Sequence, residues 1–277
     1  MQRIGGTQQC EVYQSALFKT NATVIKGAGW SLVVDPNWLP REIDFLVDRA
    51  FVRGSKNQNY LLFTHSDYDH IIGAGAFPER RTIASEAFVD NSQAEAQIEQ
   101  IRQFDDDYYI DRDYDIYYPK IDEVIAKDGQ TLPLPSETLH FWQAPGHNAD
   151  GLLTLLENQR IFISGDYLCD VEFPYLYHSL HDYRTTLDKI EKLYRENRFD
   201  LLLPGHGAIT RDSKEIRKRL RESRDYLNQL EAHVRNNIPF DENRLYQRYD
   251  YPRLMRKFHR ANIELVRKEL SESALTQ

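Results

Sequence analysis

Four short apolar runs in this sequence each lead directly into a histidine or an aspartate, and this arrangement limits the folds that the chain can adopt. The runs are LLFT at 61–64, HFWQAPG at 140–146, IFISG at 161–165 and LLLPG at 201–205, followed by His65, His147, Asp166 and His206. Apolar runs of this length, bounded by glycine or proline, are typical of buried strands. Functional side chains are usually placed on loops at rigid strand ends. The pattern therefore predicts a protein with both strands and helices, whose strand ends carry a site.

These loops supply seven candidate metal ligands. The first loop, THSDYDH at 64–70, is alone also compatible with a solvated acidic turn, but the three later loops favour a metal site. The candidates are His65, Asp67, Asp69 and His70 in the first loop, and His147, Asp166 and His206 in the later ones. Histidine nitrogen and carboxylate oxygen both bind zinc. Seven ligands are enough for two metal ions, with positions left open for water and substrate.

The chain resembles the metallo-β-lactamase superfamily from about residue 10 to residue 210. The resemblance rests on VVDP at 33–36, an HxHxDH-type motif at 65–70, Gly-His at 146–147, Gly-Asp at 165–166 and PGHG at 204–207, in this order. It implies an α/β fold, a four-layer αββα sandwich with a dinuclear metal site at one edge. Residues 1–210 are then a metallo-β-lactamase-like domain, and residues 211–277 are a C-terminal helical extension packed on it.

The resemblance also implies a role for each candidate ligand. His65, Asp67 and His147 would hold the first metal ion, Asp69, His70 and His206 the second, and Asp166 would bridge both. A hydroxide between the two ions would be the nucleophile, and the ions would polarise the bond to be cleaved. Asp69 would also take a proton from the bridging water, so Asp69 and Asp166 are the expected catalytic residues. Thr64 and Ser164 are candidates for orienting the imidazoles.

One position departs from the family motif. Asp67 stands where the second histidine of HxHxDH is usual, so the motif reads HxDxDH. A carboxylate adds a negative charge and is a harder ligand than imidazole, which favours iron or manganese more than the usual motif does. Zinc remains the first expectation for two divalent ions per chain, with iron or manganese as alternatives. Asn148, where many relatives have threonine, is expected to have no consequence for binding.

Residues 86–119 form a distinctive segment with ten Asp and Glu residues. Its first half is predicted to be a helix and its second half a loop, inserted over the core of the domain. Its five tyrosines are Tyr108, Tyr109, Tyr114, Tyr117 and Tyr118. Either the loop is a solvated surface, or it overhangs the metal edge and favours neutral or cationic substrates through its rings and carboxylates.

Five more residues are candidates for secondary roles. Tyr167, His178 and His181 follow the bridging aspartate and are expected in the core or on the surface, with a pocket role as the alternative. Cys169 is expected to be a small core residue rather than a ligand. His259 is expected on a solvated helix face, unless it reaches the site from the C-terminal helix.

The wider sequence predicts strands at 11–18, 22–27 and 29–36, and helices at 40–53, 182–198, 211–236 and 253–272. Leu220, Leu227, Leu230 and Val234 form an apolar stripe on the 211–236 helix, which predicts that it packs against the body of the protein. Only two cysteines occur and no apolar run approaches about 18 residues. The N-terminus lacks the pattern of a signal peptide. A soluble cytoplasmic protein without a membrane partner is the expectation.

The ligand set and the net charge favour a small-molecule hydrolase, and the family resemblance implies that the bond cleaved is an ester, lactone or thioester. The net charge of −8 disfavours a nucleic-acid partner, since phosphate binding needs a basic face. Residues 211–277 nevertheless hold 16 Lys and Arg against 11 Asp and Glu, so a phosphodiesterase or nuclease remains an alternative. A diiron redox protein or a ligand-binding protein on the same fold is a third, for which Asp67 is the favourable feature.

The aspartate at position 67, in place of the usual histidine, leads to a testable prediction. Asp67→His restores the usual motif, and we expect the variant to fold and to prefer zinc more strongly, because imidazole replaces a harder, charged ligand. Competitive loading of wild type and variant with zinc, manganese and iron, followed by elemental analysis, measures the shift. Unchanged selectivity would mean that Asp67 is not a ligand or that the other six residues set the preference.

Overall fold

Two β-sheets pack face to face in the computed structural model, which describes residues 1–50 and 58–275. The first sheet contains, in spatial order, β1 (Gln2–Gly6), β2 (Cys10–Gln14), β3 (Asn21–Gly27), β4 (Trp30–Val34), β5 (Asn59–Leu62), β6 (Arg81–Ser85) and β7 (Glu123–Ile125). The second contains β8 (Gln130–Leu134), β9 (Glu137–Gln143), β10 (Leu152–Leu156), β11 (Ile161–Gly165) and β12 (Leu201–Pro204). Strands β4 to β7 are parallel, as are β11 and β12, and the remaining neighbours are antiparallel.

Helices cover the outer face of each sheet. They are α1 (Pro40–Ala50), α2 (Tyr68–Ile71), α3 (Glu86–Val89), α4 (Ala94–Tyr108), α5 (Leu180–Arg195), α6 (Ser213–Asn236), α7 (Glu242–Arg248) and α8 (Pro252–Leu275). Buried side chains of α1 to α4 share a cluster with the first sheet, and those of α5 to α8 share one with the second. A third cluster fills the space between the sheets. The predicted four-layer αββα sandwich is confirmed.

The strands that carry the candidate ligands are buried on both faces. β11 and β12 are buried at every position, and so are Tyr60, Leu61 and Leu62 of β5. Parallel strands covered on both sides need such continuous apolar sequences. Since β5 lies between parallel neighbours and β11 pairs in parallel with β12, their carboxyl ends point the same way within each sheet. The polar loops that follow these strands are therefore placed at a sheet edge.

Several predicted elements differ in extent from the observed ones. The strand predicted over 11–18 ends at Gln14, because the chain turns at Phe18 and Lys19, both in the left-handed region with φ of 52°. Strand β1 and helix α7 were not predicted. The helix predicted over 40–53 is observed as Pro40–Ala50, and residues 51–53 lie outside the described part. Asp212, predicted as helical, is instead the N-cap of α6 and accepts a hydrogen bond from the Lys214 amide at 2.8 Å.

The last two long helices continue the core of the second sheet. Leu220, Leu227 and Leu230 of α6 are buried, as the stripe predicted, and Val234 is partly buried against the same cluster. Met255 and Val266 of α8 are fully buried in that cluster as well. Within residues 1–50 and 58–275, no helix combines the length and apolar character needed to cross a bilayer.

This packing generates a prediction about α8. Val266→Ala is expected to lower the free energy of unfolding by about 2 kcal/mol, since it removes two buried methyl groups and leaves a cavity. The matched control is Val89→Ala at the end of α3, where valine is 50% exposed and little change is expected. Urea unfolding measures both. Equal stability of the two variants would show that α8 does not share the cooperative core.

Candidate metal centre

The structure brings all seven predicted ligands together at one edge of the sandwich. Three groups have ligand atoms that lie within 4.8 Å of one another: His65, Asp67 and His147; Asp69, His70 and His206; and His65, His70 and Asp166. The first loop runs from β5 into α2, and the later residues follow β9, β11 and β12. The two halves assigned from the family resemblance therefore correspond to the first two groups.

The distances between ligand atoms fit metal coordination. His147 Nε2 lies 3.3 Å from Asp67 Oδ2, and His206 Nε2 lies 3.5 Å from Asp69 Oδ2. Two ligand atoms, each about 2.1 Å from a common ion and separated by a tetrahedral angle, are about 3.4 Å apart. The observed spacings match this value.

The carboxylate of Asp166 lies between the two halves. Its Oδ2 atom is 3.4 Å from His147 Nε2 and 3.4 Å from His206 Nε2, and its Oδ1 atom is 3.5 Å from His70 Nε2. His147 belongs to the first half of the cluster, whereas His70 and His206 belong to the second. One carboxylate thus faces both candidate positions, as a bridging ligand requires.

Unpaired buried atoms converge on the same space. The Nε2 atoms of His65, His70 and His147 and the Oδ1 atom of Asp166 are buried and have no hydrogen-bond partner in the described structure. An unpaired buried polar atom costs about 1–3 kcal/mol. Four such atoms in one cluster are explained if each is a metal ligand, so the residues present fit divalent ions.

The other ring nitrogens of two histidines are held by backbone carbonyls. His147 Nδ1 is 2.9 Å from the Tyr175 carbonyl oxygen, and His206 Nδ1 is 3.0 Å from that of Phe18. Since a carbonyl oxygen can only accept, each Nδ1 carries a proton, and Nε2 is the nitrogen that is left to bind a metal ion. This arrangement is common for histidine ligands of metals.

Asp35 orients the other two histidines. Its Oδ2 atom is 3.0 Å from His70 Nδ1 and accepts a hydrogen bond from the Thr64 hydroxyl at 2.6 Å. Because that hydroxyl donates to Asp35, its oxygen is free to accept from His65 Nδ1 at 3.0 Å. The predicted role of Thr64 agrees with this geometry. Ser164 instead donates to the Tyr167 carbonyl oxygen.

The two positions that depart from the family pattern contact each other. Asn148 Nδ2 donates a 2.8 Å hydrogen bond to Asp67 Oδ1, which leaves Oδ2 facing His147. The sequence analysis did not anticipate this contact, which gives Asn148 a direct part in the orientation of Asp67.

The charges of the cluster affect one another strongly. Burial alone would lower the pKa of His147, but a hydrogen bond with Asp67 and the charge of Asp166 raise it to about 9. Burial would likewise lower the pKa of His206, and Asp166 raises it to about 10. Burial would raise the pKa of Asp67, whereas the neighbouring imidazoles hold it well below its usual range. Without a metal, protonated imidazoles balance the carboxylates, and a metal ion replaces those protons.

A cavity of about 170 Å³ opens onto the cluster. Aromatic rings form a large part of its wall, including those of Phe18, Trp38, Tyr175, Tyr177, Tyr251 and Phe258. Among the described residues that line it, Lys257 of α8 is the one Lys or Arg. The ring of Tyr175 stacks on that of Phe258 with centroids 3.8 Å apart. The C-terminal helix therefore forms part of the pocket that leads to the candidate ligands.

The tyrosines of the insertion do not line this cavity, although residues between 86 and 100 line a second cavity that reaches Asp67 and Asn148. Of residues 86–119, all of which the structure describes, only Gln100 lines the cavity of about 170 Å³. Ile98 and Ile101 of α4 are buried in the outer cluster of the first sheet, and Tyr114 and Tyr118 pack against the same cluster. The remaining tyrosines of the segment are largely exposed: Tyr108, Tyr109 and Tyr117. The prediction of a tyrosine lid was wrong because the buried rings of this segment cover the sheet.

The secondary candidates fall outside the cluster. The Tyr167 hydroxyl lies within 3.0 Å of the carbonyl oxygens of Ala144 and Pro145 and accepts a hydrogen bond from the His147 amide, so this buried residue has the core role that was expected. His178 faces Asp182 at 3.3 Å. His259 is fully buried rather than solvated, and its Nδ1 atom is 3.0 Å from the Tyr226 hydroxyl.

Sequence reasoning missed Glu172. This partly buried residue lines the cavity, and its carboxylate forms a fourth group of ligand atoms with Asp166 and His206, all within 4.8 Å. Burial raises its pKa, and the charge of His206 opposes that shift. No strand end or familiar spacing marks residue 172, so no sequence signal was available. Asp35 was missed as well, although it follows β4 in the way that the ligands follow their strands.

Comparisons with known proteins agree with this architecture. The family model described as the metallo-beta-lactamase superfamily matches residues 16–226. The beta-lactamase-like protein 2 homolog of Caenorhabditis elegans is 24% identical over 262 residues, which cover 92% of this chain and 80% of that protein.

Solved structures share the fold at lower identity. A metallo-beta-lactamase family protein from Thermus thermophilus has a TM-score of 0.65 at 18% identity, covering 95% of this chain and 94% of that one. An archaeal metallo-beta-lactamase superfamily protein from Sulfolobus tokodaii has a TM-score of 0.55 at 16% identity, covering 96% and 100%. The rubredoxin oxygen:oxidoreductase of Desulfovibrio gigas has a TM-score of 0.55 at 15% identity, covering 82% and 62%.

The contact between Asn148 and Asp67 generates a prediction. Asn148→Ala is expected to weaken binding of one metal ion by about 10–100-fold, since Asp67 loses the hydrogen bond that orients it. The control is Asn158→Ala, in the turn after β10, whose side-chain amide donates to the Ser136 carbonyl oxygen, away from the cluster. Titration of the metal-free proteins against a chelating dye gives both affinities. Equal affinities in wild type and Asn148→Ala would show that this contact does not position a ligand.

Proposed function

Because this chain belongs to the metallo-β-lactamase superfamily, we propose that it is a hydrolase that uses two divalent metal ions. The observation that carries the proposal is the Asp166 carboxylate, which faces imidazoles of both halves of the cluster at 3.4–3.5 Å. A shared carboxylate between two ligand groups supports two adjacent ions rather than one.

We assign the ligands as the family resemblance implied. The first ion is held by His65, Asp67 and His147, the second by Asp69, His70 and His206, and both by Asp166. Zinc is the ion that we propose first, with iron or manganese as alternatives, since the ligands combine imidazoles with carboxylates. The unpaired Nε2 atoms and the fixed Nδ1 protons support this assignment.

The ions would supply Lewis acidity and lower the pKa of a water molecule, which becomes the nucleophile at neutral pH. The residues of the chain then have separate tasks. Asp69 has a partly accessible carboxylate within 3.6 Å of both His70 and His206, and it would accept the proton of the attacking water. Asp35 and Asn148 keep the ligands in orientation, and the aromatic walls restrict the access of bulk water.

The proposed substrate is a small molecule with an ester, lactone or thioester bond. A cavity of about 170 Å³ with aromatic walls suits a compact organic group better than a polymer. Lys257 at its wall also suits a substrate that carries a negative group, which replaces the earlier expectation of a mouth that repels anions. Carbon esters precede phosphodiesters in the proposal only by analogy with the family.

A redox protein is the second candidate. The carboxylate at Asp67 favours it, because a harder ligand set suits iron. An iron-loaded, coloured protein that consumes dioxygen and hydrolyses none of the ester substrates would replace the hydrolase proposal with this one.

The proposal is tested with protein purified without added metal. Elemental analysis is expected to give two metal ions per chain, and a panel of esters, lactones, thioesters and phosphodiesters is expected to include a substrate. Asp166→Asn should lower kcat/KM by about a hundredfold or more, since it weakens the shared ligand. The matched control, Asp200→Asn, changes a half-exposed aspartate that pairs with Arg160. A single well-bound ion, or full activity of Asp166→Asn, would contradict the proposal.

A further inference from the structure

Glu172 lies beside the half of the cluster that contains His206. Its carboxylate has an oxygen within 4.8 Å of ligand atoms of both Asp166 and His206, and the residue lines the cavity above them. The seven ligands assigned from the family pattern do not include it. Its position therefore needs a separate explanation.

The backbone around Glu172 is held on both sides in sequence. Val171 and Phe173 are buried, and the Phe173 ring stacks on Tyr226 of α6 with centroids 4.4 Å apart. With both neighbours fixed in the core, the side chain of Glu172 is confined to the cavity. Core packing alone therefore places this carboxylate near the cluster, without the help of a bound metal ion.

The C-terminal extension anchors the same segment further out. Before Glu172, Arg219 of α6 donates to the Leu168 carbonyl oxygen at 3.1 Å. After it, Asn262 of α8 accepts from the Leu176 amide at 2.8 Å and donates to the Pro174 carbonyl oxygen at 2.8 Å. Such support is what a positioned functional side chain needs.

Among the described residues, the imidazoles of His206 and His147 are the basic groups whose charge acts on the Glu172 carboxylate. Neither lysine nor arginine forms an ion pair with it there, and the Cys169 thiol, a weak donor, is its side-chain hydrogen-bond neighbour. Burying a carboxylate without compensation is costly. Two divalent ions would bring four positive charges beside Glu172, and their attraction would offset the cost of burying its carboxylate.

We propose that Glu172 is an additional ligand of the metal ion held by Asp69, His70 and His206, an inference that rests on the proposed metal centre. The side chain has three rotatable bonds, and rotation about them can move its carboxylate towards an ion held by Asp166 and His206. The second ion then has three carboxylates and two imidazoles, and the first has two carboxylates and two imidazoles. The two ions differ in ligand number, and the second, richer in oxygen, binds manganese more tightly than the first.

The test uses the full chain, stripped of metal and titrated with Mn²⁺, with free Mn²⁺ measured by electron paramagnetic resonance. Glu172→Gln is expected to weaken one of the two Mn²⁺ sites at least about tenfold and to leave the other within about threefold. The matched control is Glu95→Gln, on an exposed turn of α4. Circular dichroism and Tm of the metal-free proteins check folding, and Glu172→Asp, which keeps the charge, serves if Glu172→Gln does not fold.

Double variants show which of the two metal ions Glu172 binds. In a His147→Ala background, Glu172→Gln should still weaken the remaining Mn²⁺ site, whereas in a His206→Ala background it should leave the remaining site unchanged. Unchanged affinities in Glu172→Gln, or a loss confined to the site that contains His147, would overturn the inference. Hydrolysis by the wild type is measured separately. If the wild type hydrolyses none of the substrates, the proposed function is contradicted. If Glu172→Gln leaves both Mn²⁺ affinities unchanged, only the ligand role of Glu172 is contradicted.

Discussion

The geometry of the candidate metal centre depends on one buried carboxylate that is not itself among the ligands. Asp35 follows β4, and its side chain accepts hydrogen bonds from the Thr64 amide and hydroxyl and faces His70 Nδ1. β4 and β5 are parallel neighbours with Val34 opposite Leu62, so the ends of both strands meet at the same level. Asp35 therefore fixes the loop that carries four of the seven ligands to the strand beside it.

The burial of so many charged and polar groups is stable only as a set. Each histidine has its Nδ1 atom within hydrogen-bond distance of a neighbouring oxygen and its Nε2 atom directed to the cluster. Replacing one of these side chains leaves a buried polar group without a hydrogen-bond partner, and this costs more free energy than the loss of an average hydrogen bond. The contact between Asp67 and Asn148 illustrates this dependence, since two unusual residues from loops far apart in sequence satisfy each other.

Sequence reasoning could find the candidate ligands because their signal is local. His65, His147, Asp166 and His206 each follow an apolar strand, and the strand and its ligand are adjacent in the chain. The roles of Asn148 and Glu172 depend on contacts between distant segments, which spacing does not encode. The sequence was misleading at Tyr114 and Tyr118. Tyrosines in an acidic segment are typical of a pocket wall, but these two rings pack against the first sheet instead.

The hydrogen bonds of Asn262 give the last helix a part in the metal centre, although it contributes no ligand. Asn262 holds Pro174 and Leu176, and Tyr175 between them provides the carbonyl that orients His147. During synthesis, β5, β9, β11 and β12 leave the ribosome before α8 does. All seven candidate ligands are therefore synthesised before the loop that orients His147 is secured, and docking of α8 is the step that completes the first half of the cluster.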